Sequence, residues 1–171
     1  MGPEIRCAPA AGGRGIAGAM DQDLQIKRIP PEGLRDLLAL YAHLHAHDAP
    51  LPGRAQVAAV WKSILADPNL IYLGGYLAES LVCSCTMAVI PNLTRGSRPY
   101  GLIENVVTHA DHRRRGHGKR LLAHAQGLAW SRSCYKVMLM TGRLDEPTLR
   151  FYEAAGFDRQ AKQAFVAKPP A

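Results

Sequence analysis

The stretch ENVVTHADHRRRGHGKR, residues Glu104–Arg120, holds the most concentrated chemistry in the sequence. The apolar run Ile103–Thr108 enters a polar turn, and Gly116 and Gly118 then precede a helical pattern that opens at Lys119. Glycines let a backbone approach a ligand closely, and N–H groups at a helix start attract anions such as phosphate. Basic side chains reinforce that attraction, namely Arg113, Arg114, Arg115, Lys119 and Arg120. The stretch therefore predicts a binding site for a phosphorylated compound.

The length and composition fit one globular domain, since the chain has 171 residues of which 47% are hydrophobic. We assign residues 21–171 to this domain, and we expect residues 1–20, rich in Gly, Ala and Pro, to form a disordered tail with Met20 as a candidate start. Residues 13–18 match GxGxxG, but no strand pattern precedes them, so a dinucleotide site is not predicted there. The longest nearly uninterrupted apolar run, Leu81–Ile90, is about half the length of a membrane span. We expect a cytoplasmic protein without a membrane partner.

Cysteine usage and charge narrow the class of partner. The cysteines Cys7, Cys83, Cys85 and Cys134 form no CxxC pair, so reduced and packed thiols are predicted. The 21 basic and 14 acidic residues give a net charge of +7, which makes nucleic acid a competing partner. Aromatic residues are only 6% of the chain, however, and the densest basic cluster lies beside a glycine turn. A small phosphorylated ligand is therefore favoured over nucleic acid.

Apolar periodicity predicts the element order β-α-α-β-β-β-α-β-α-β. Strand patterns occupy residues 24–29, 70–78, 81–90, 100–108, 134–141 and about 163–167. Helical patterns run over residues 34–44, 57–65, 119–129 and 147–156. The short turn at Glu79 and Ser80 favours an antiparallel hairpin. The loop that contains Gly116 and Gly118, called the glycine loop below, therefore falls between the fourth strand and the third helix.

This order and the run RRRGHG, Arg113–Gly118, resemble the GNAT superfamily of acetyl-CoA-dependent N-acetyltransferases, whose signature is Q/R-x-x-G-x-G/A. The run LRFYEAAGF, Leu149–Phe157, resembles the FYxxxGF helix of the same superfamily. The resemblance covers roughly residues 24–168. It implies a GNAT fold of the α/β (α+β) class, in which a mixed central sheet is flanked by helices on both faces.

The resemblance also implies a set of cofactor contacts and no metal. Backbone N–H groups of Arg115–Lys119 would hold the pyrophosphate of acetyl-CoA, and the backbone of Val106–Thr108 would pair with the pantetheine arm. The predicted cofactor-binding residues are Val106, Val107, Thr108, Arg113, Arg114, Arg115, Gly116, His117, Gly118, Lys119 and Arg120. For Arg113, shaping of the loop is an alternative to ligand contact.

Family analogy further assigns catalytic candidates. Tyr152 would be the general acid, Glu104 a base acting directly or through water, and the Val107 N–H the donor to the thioester oxygen. Two structural alternatives stay open, because Tyr152 could be a core tyrosine and Glu104 a solvated strand residue. Asn105 is a further candidate, although an amide does not take up a proton as a carboxylate does.

Segments 103–107 and 134–137 are similar to glucosamine-6-phosphate N-acetyltransferases, in which Asp usually replaces Asn105. Candidate acceptor contacts are His47 and Asp48, between the first two helices, and Arg95 and Arg98, which could either meet an anionic acceptor or solubilise their loop. His43, His45 and His47 cannot converge on one helix, so a metal site is not predicted.

The sequence thus predicts an acetyltransferase that transfers acetyl directly to a primary amine of a small molecule in a ternary complex. A covalent route is disfavoured because Cys83, Cys85 and Cys134 all lie in predicted strands. The alternatives are a non-catalytic acyl-CoA sensor, a protein-lysine or N-terminal acetyltransferase, and a basic nucleic-acid-binding module. We also expect a homodimer, although the residues themselves do not fix the oligomeric state.

Overall fold

One five-stranded sheet, in the order β1-β2-β3-β4-β5, organises the chain in a computed structural model that describes residues 23–44 and 49–170. The strands are β1 (Gln25–Arg28), β2 (Leu70–Leu77), β3 (Ser80–Ile90), β4 (Tyr100–Thr108) and β5 (Val137–Leu139). The helices are α1 (Leu34–Tyr41), α2 (Arg54–Ala66), the single turn α3 (Thr94–Ser97), α4 (His117–Ser131) and α5 (Glu146–Ala154). Short 3-10 turns occupy Pro31–Gly33 and Ala110–His112. The predicted tail and the GxGxxG match lie outside the described residues.

The sheet is mixed, as predicted. Strands β1 to β4 pair antiparallel in succession, and the β2–β3 hairpin closes at Leu77 and Ser80. Strand β5 pairs parallel with β4, but only where Gly101–Ile103 faces Val137–Leu139. The second half of β4 therefore extends beyond its parallel neighbour.

Helices cover both faces of this sheet because successive strand residues point to opposite sides. Ile71 and Leu73 belong to the larger core, which also contains the fully buried α4 residues Leu121, Leu122, Ala125 and Ala129. Tyr72, between them, packs into a second cluster with Leu37 of α1 and Trp61 of α2. The indole N–H of Trp61 donates to the Pro31 carbonyl oxygen over 2.8 Å, which fixes α2 against the first turn.

A β-bulge interrupts β4 at the point where its parallel neighbour ends. The register passes from Thr86 opposite Glu104 to Ser84 opposite Val107, so β4 contains one residue more than β3 across this step. Asn105 has φ of 53°, a left-handed conformation that Asn adopts more readily than most residues. The bulge bends β4 and changes the direction of its backbone beside Glu104.

Helix and strand ends shift by a few residues throughout, and three elements differ from the sequence-based expectation in ways that affect the site or the topology. The predicted strand at 134–141 is reduced to Val137–Leu139, because its pairing with β4 ends at Ile103, directly before the β4 bulge. Helix α4 begins at His117 rather than Lys119, since Gly116 already has the left-handed conformation that ends the loop. The strand expected at about 163–167 is wrong: no described backbone hydrogen bond joins it to the sheet, and Phe165 and Val166 are 88% and 78% exposed.

The thiols agree with the expected reduced state. Cys83, Cys85 and Cys134 are free and buried, whereas Cys7 lies outside the described residues. None of the helices within 23–44 and 49–170 has the length and apolar composition to cross a bilayer.

Candidate active site

A cavity of about 940 Å³ opens where β4 and β5 separate. It is surrounded by the glycine loop, the half of β4 that extends beyond β5, the segment that follows β5, and one side of α5. Its described lining comprises His43, Leu44, Ile103, Glu104, Asn105, Val106, Val107, Thr108, His112, Arg113, Arg114, Gly116, His117, Gly118, Lys119, Met140, Thr141, Gly142, Arg143, Thr148, Phe151 and Tyr152. The two sequence landmarks are separated by about 30 residues, which would span about 100–110 Å if fully extended. The fold brings both landmarks to one site where the strands separate.

The glycine loop presents a helix start to this cavity. Gly116 has φ of 80° and precedes the first helical residue, and it has no side chain with which to cap the helix. The first hydrogen bond of α4 runs from the Arg120 N–H to the Gly116 carbonyl over 3.0 Å. The N–H groups of Gly118 and Lys119 therefore have no acceptor within the helix, which is the arrangement that binds phosphate oxygens.

The arginines of the loop have different surroundings. The Arg113 guanidinium donates to the Thr108 carbonyl over 3.1 Å and to the His43 carbonyl over 3.0 Å, so it ties the end of β4 to the end of α1. Arg114 lines the cavity with φ of 62°. The described lining does not include Arg115 or Arg120, and Arg120 instead pairs with Asp23 at 2.7 Å. Only part of the basic cluster faces the cavity.

The direction of the β4 backbone bears on the role predicted for the Val107 amide. His109 N–H donates to the Val82 carbonyl of β3 over 2.9 Å, and the ladder continues in the same register to Ser84 opposite Val107. Alternate residues of a strand direct their N–H groups to the same side, so the Val107 N–H faces β3 and not the cavity. The carbonyl of Thr108 accepts from Arg113 on the other side. The amides that face the cavity are therefore those of Val106 and Thr108.

Helix α5 begins with a strong cap. The Asp145 carboxylate accepts from the Thr148 N–H over 3.0 Å and from the Thr148 hydroxyl over 2.8 Å, and Arg143 donates to it over 2.8 Å. These hydrogen bonds, that from Thr148 foremost, lower the pKa of Asp145 to about 2. The capped helix places Phe151 and Tyr152 on the cavity wall. A Cβ on Gly118 would lie 3.0 Å from the Phe151 ring, so the loop and α5 approach closely because this residue is glycine.

The surroundings of Tyr152 and Glu104 shift the pKa of both groups upward. Burial raises the pKa of the half-buried Tyr152 phenol, the Arg143 charge lowers it and the Glu104 charge raises it. Tyr152 therefore retains its proton at neutral pH. Desolvation also raises the pKa of the Glu104 carboxyl, which makes this carboxylate a better proton acceptor. Both residues line the same cavity.

Most of the predicted site residues come together here. Besides Glu104, Asn105 and Tyr152, the cavity gathers residues 106–108, Arg113, Arg114 and 116–119. Arg95 and Arg98 line a separate cavity. His47 and Asp48 lie outside the described residues. Among the residues that the structure describes, no group of three His, Cys, Asp or Glu side chains is arranged to hold a metal ion.

The sequence analysis did not identify several residues that line the cavity. Residues 140–143 follow the short β5, and their position at the open end of a parallel pair was the signal that could have identified them. Phe151 precedes the predicted acid directly in the chain. His43 and His112 have no such signal, because the fold alone brings them to the cavity.

Comparison with known proteins agrees with this geometry. The model of the acetyltransferase (GNAT) family matches residues 35–157. A glucosamine 6-phosphate N-acetyltransferase from Trypanosoma brucei brucei is 30% identical over 150 residues, which cover 82% of this chain and 93% of that protein.

Solved structures show the same likeness. A protein from Agrobacterium tumefaciens strain C58, assigned as an acetyltransferase, has a TM-score of 0.79 and 39% identity over 84% of this chain and 99% of its own. A Trypanosoma brucei acetyltransferase has a TM-score of 0.71 and 28% identity over 85% of this chain and all of its own, 100%. With its sheet, loop and helix landmarks in place, this chain belongs to the acetyltransferase (GNAT) family and is an acetyltransferase.

Proposed function

We propose that this enzyme transfers acetyl from acetyl-CoA directly to a primary amine of a small molecule, with both substrates bound together. The observation that carries the proposal is the half of β4 that extends beyond β5, which lies between the glycine loop and Tyr152 in one cavity. A backbone edge, an anion-binding helix start and a proton donor are thereby available to a single elongated ligand.

The hydrogen-bond donors that line the cavity fit acetyl-CoA as the co-substrate. Amides of Gly118 and Lys119, with the Arg114 side chain, would hold the pyrophosphate. The β4 edge would pair with the amide-bearing pantetheine arm as a strand does. When bound, acetyl-CoA supplies the activated acetyl group. We assign the donor to its thioester oxygen to the Val106 amide, which faces the cavity beside the bulge, in place of the Val107 amide.

Proton transfer is assigned to two side chains. Glu104, whose carboxyl pKa is raised by burial, would accept the proton of the amine directly or through water. Tyr152, whose phenol pKa is also raised, would provide the proton for the departing thiolate.

Direct transfer is favoured over a covalent route because the strand cysteines are poor nucleophiles. Burial raises the pKa of the Cys83 and Cys85 thiols to about 12, so little thiolate exists at neutral pH. Neither thiol belongs to the described cavity lining. Intact-protein mass spectrometry after incubation with acetyl-CoA alone should show no acetyl adduct, and a stoichiometric adduct on a cysteine would contradict the ternary mechanism.

The first acceptor to test is glucosamine 6-phosphate, because the Trypanosoma brucei brucei relative carries that activity in its name. Calorimetry with acetyl-CoA should give saturable binding at one site, and no binding at millimolar ligand would contradict the proposed co-substrate. A protein that binds acetyl-CoA and acetylates none of the amines tested would be the acyl-CoA sensor instead. Homodimerisation and a cytoplasmic location stay predictions from the sequence.

A further inference from the structure

A second cavity, of about 480 Å³, lies at the opposite end of the β4–β5 pair. Its lining consists of Tyr135 together with Arg95, Arg98, Lys136 and Lys162. Arg98 precedes β4 and Lys136 precedes β5, whereas the first cavity begins at Ile103 and Glu104. At about 3.3 Å per residue, Tyr100 and Asn105 are about 16 Å apart along β4, so the two cavities are separate sites.

The charge of this second cavity is entirely of one sign. Its described lining has four cationic side chains and no carboxylate. Within the described part of the chain, none of these four side chains forms an ion pair, although other arginines such as Arg143 and Arg159 do. Like charges held close together repel one another. The arrangement is therefore complementary to an anion with more than one negative charge.

Neutral groups hold two of the cations in position. The Arg98 guanidinium donates through Nε to the Ser133 carbonyl and through Nη2 to the Cys134 carbonyl, both over 3.2 Å. The Lys136 ammonium lies 5.2 Å from the centre of the Tyr100 ring and 5.4 Å from that of Tyr135. Carbonyl oxygens and aromatic faces orient a cation without neutralising its charge. Both side chains thus keep their charge available for a ligand.

The backbone around these cations is also fixed. Tyr135 N–H donates to the Pro99 carbonyl and Gly101 N–H to the Lys136 carbonyl, each over 2.9 Å, which locks the start of β5 to the start of β4. The Asn92 amide donates to the Thr94 carbonyl over 2.7 Å and to the Arg98 carbonyl over 3.2 Å. This amide braces the turn from which Arg95 projects, in which residues 95–97 all have positive φ. Such strained turns are characteristic of ligand-binding segments.

We infer that the second cavity binds a small soluble phosphate compound with at least two negative charges, at a site distinct from the acetyl-transfer cavity. Arg98 and Lys136 are the fixed contacts, and Arg95 and Lys162 close over the ligand from the β3–β4 turn and the C-terminal segment. Arg95 and Arg98 are accordingly assigned to this anion and not to the amine acceptor of the first cavity.

The test is calorimetric titration of inorganic pyrophosphate into the full chain saturated with CoA, which blocks the first cavity. Saturable binding is expected, and Lys136→Gln should weaken it about fivefold or more. The matched control is Lys62→Gln, which removes an exposed lysine of α2 and the same unit of charge. This control should change pyrophosphate affinity by less than about twofold. Unchanged CoA affinity in both variants shows that each is folded.

Three results would overturn the inference. The first is no saturable pyrophosphate binding by the CoA-saturated chain at millimolar concentration, the second is equal weakening by the two lysine substitutions, and the third is preference for nucleic acid. A single-stranded oligonucleotide that binds much more tightly than pyrophosphate, and loses this binding in Lys136→Gln, would replace the small anion with nucleic acid. Since CoA binding is measured separately, failure of this site is distinguishable from failure of the proposed acetyl transfer.

Discussion

Tyr152 has two roles in this account. Its hydroxyl is the proposed proton donor, and its ring packs against neighbouring aromatic residues. The ring packs beside Phe151 and Phe157, with centroids 5.0 and 6.5 Å away, so Tyr152→Phe keeps the packing and removes only the proton donor. We expect kcat to fall about 100-fold with little change in acetyl-CoA affinity. Initial rates and calorimetry measure the two quantities.

The control for that variant is Tyr72→Phe, which removes a hydroxyl from a half-buried tyrosine on β2, outside the described cavity lining. Its turnover should stay close to that of the wild type. An unchanged rate in Tyr152→Phe would remove Tyr152 from the acid role and leave it as a packing residue.

Glu104 gives a prediction in pH because burial raises its pKa above the ordinary value of 4.5. Glu104→Gln keeps the shape and removes the base, so kcat/KM should fall about 100-fold at neutral pH. Below the raised pKa the wild-type carboxyl is protonated and also uncharged. The ratio of wild-type to variant kcat/KM should therefore approach one in acid and rise as pH increases through the pKa of Glu104.

The ratio is the useful quantity because ionisation of the amine acceptor affects both proteins equally. Glu79→Gln, in the exposed β2–β3 turn, controls for loss of one negative charge. A ratio that stays constant across pH would show that Glu104 acts by charge or position and does not transfer a proton.

At the scale of elements, the β4 bulge sets the open end of the cavity. Asn105 is exposed and has positive φ, so we expect its conformation to matter more than its contacts. Asn105→Val places a β-branched residue in the left-handed region and should lower the free energy of unfolding by about 1–2 kcal/mol. Asn105→Gly adopts this conformation without strain and should stay within about 1 kcal/mol of wild type. Denaturant unfolding measures both.

Activity distinguishes this conformational role from the predicted catalytic one. If Asn105 only shapes the bulge, Asn105→Gly should keep kcat within about threefold, which corresponds to less than 1 kcal/mol in the barrier. A loss of turnover in Asn105→Gly, with acetyl-CoA affinity intact, would instead assign a chemical role to the amide.

The start of α4 is the second element on which the site depends. A Cβ at Gly116 would meet no atom within 4 Å, but φ of 80° strains any other residue. Gly116→Ala should therefore cost about 1–2 kcal/mol of stability and weaken acetyl-CoA binding, because the amides behind it are displaced. Gly127→Ala, in the same helix with open space around it, should instead stabilise by about 0.5–1 kcal/mol. Equal effects of the two substitutions on CoA affinity would contradict the proposed role of the loop.

At the scale of the whole molecule, the sequence correctly predicted those strands and helices that depend mainly on local residue patterns. The span Tyr100–Thr108 was predicted to the residue. The glycine loop and Tyr152 were identified because family landmarks mark them. The glycine loop and Tyr152 meet only through tertiary folding. The family resemblance implied this proximity, whereas apolar periodicity alone could not predict it.

What the sequence did not predict depends on neighbours. Strand β5 is three residues long because its partner bends away, and residues 163–167 have a strand pattern without a described strand beside them. The Val107 amide was assigned to the thioester oxygen, but the direction of an N–H depends on the β3–β4 register, which a single sequence does not reveal. Arg95 and Arg98 likewise needed the start of β5 to show which cavity they line.

The most direct test of the account is the release of free thiol from acetyl-CoA, measured with and without glucosamine 6-phosphate and a panel of other primary amines. We predict thiol release that requires an amine, with formation of the N-acetylated product, and glucosamine 6-phosphate as the preferred acceptor. The same panel contains polyamines, amino acids, aminoglycosides and lysine peptides. Faster thiol release with one of these would identify a different acceptor class. Saturable acetyl-CoA binding without amine-dependent thiol release from any of them would contradict catalysis at this cavity.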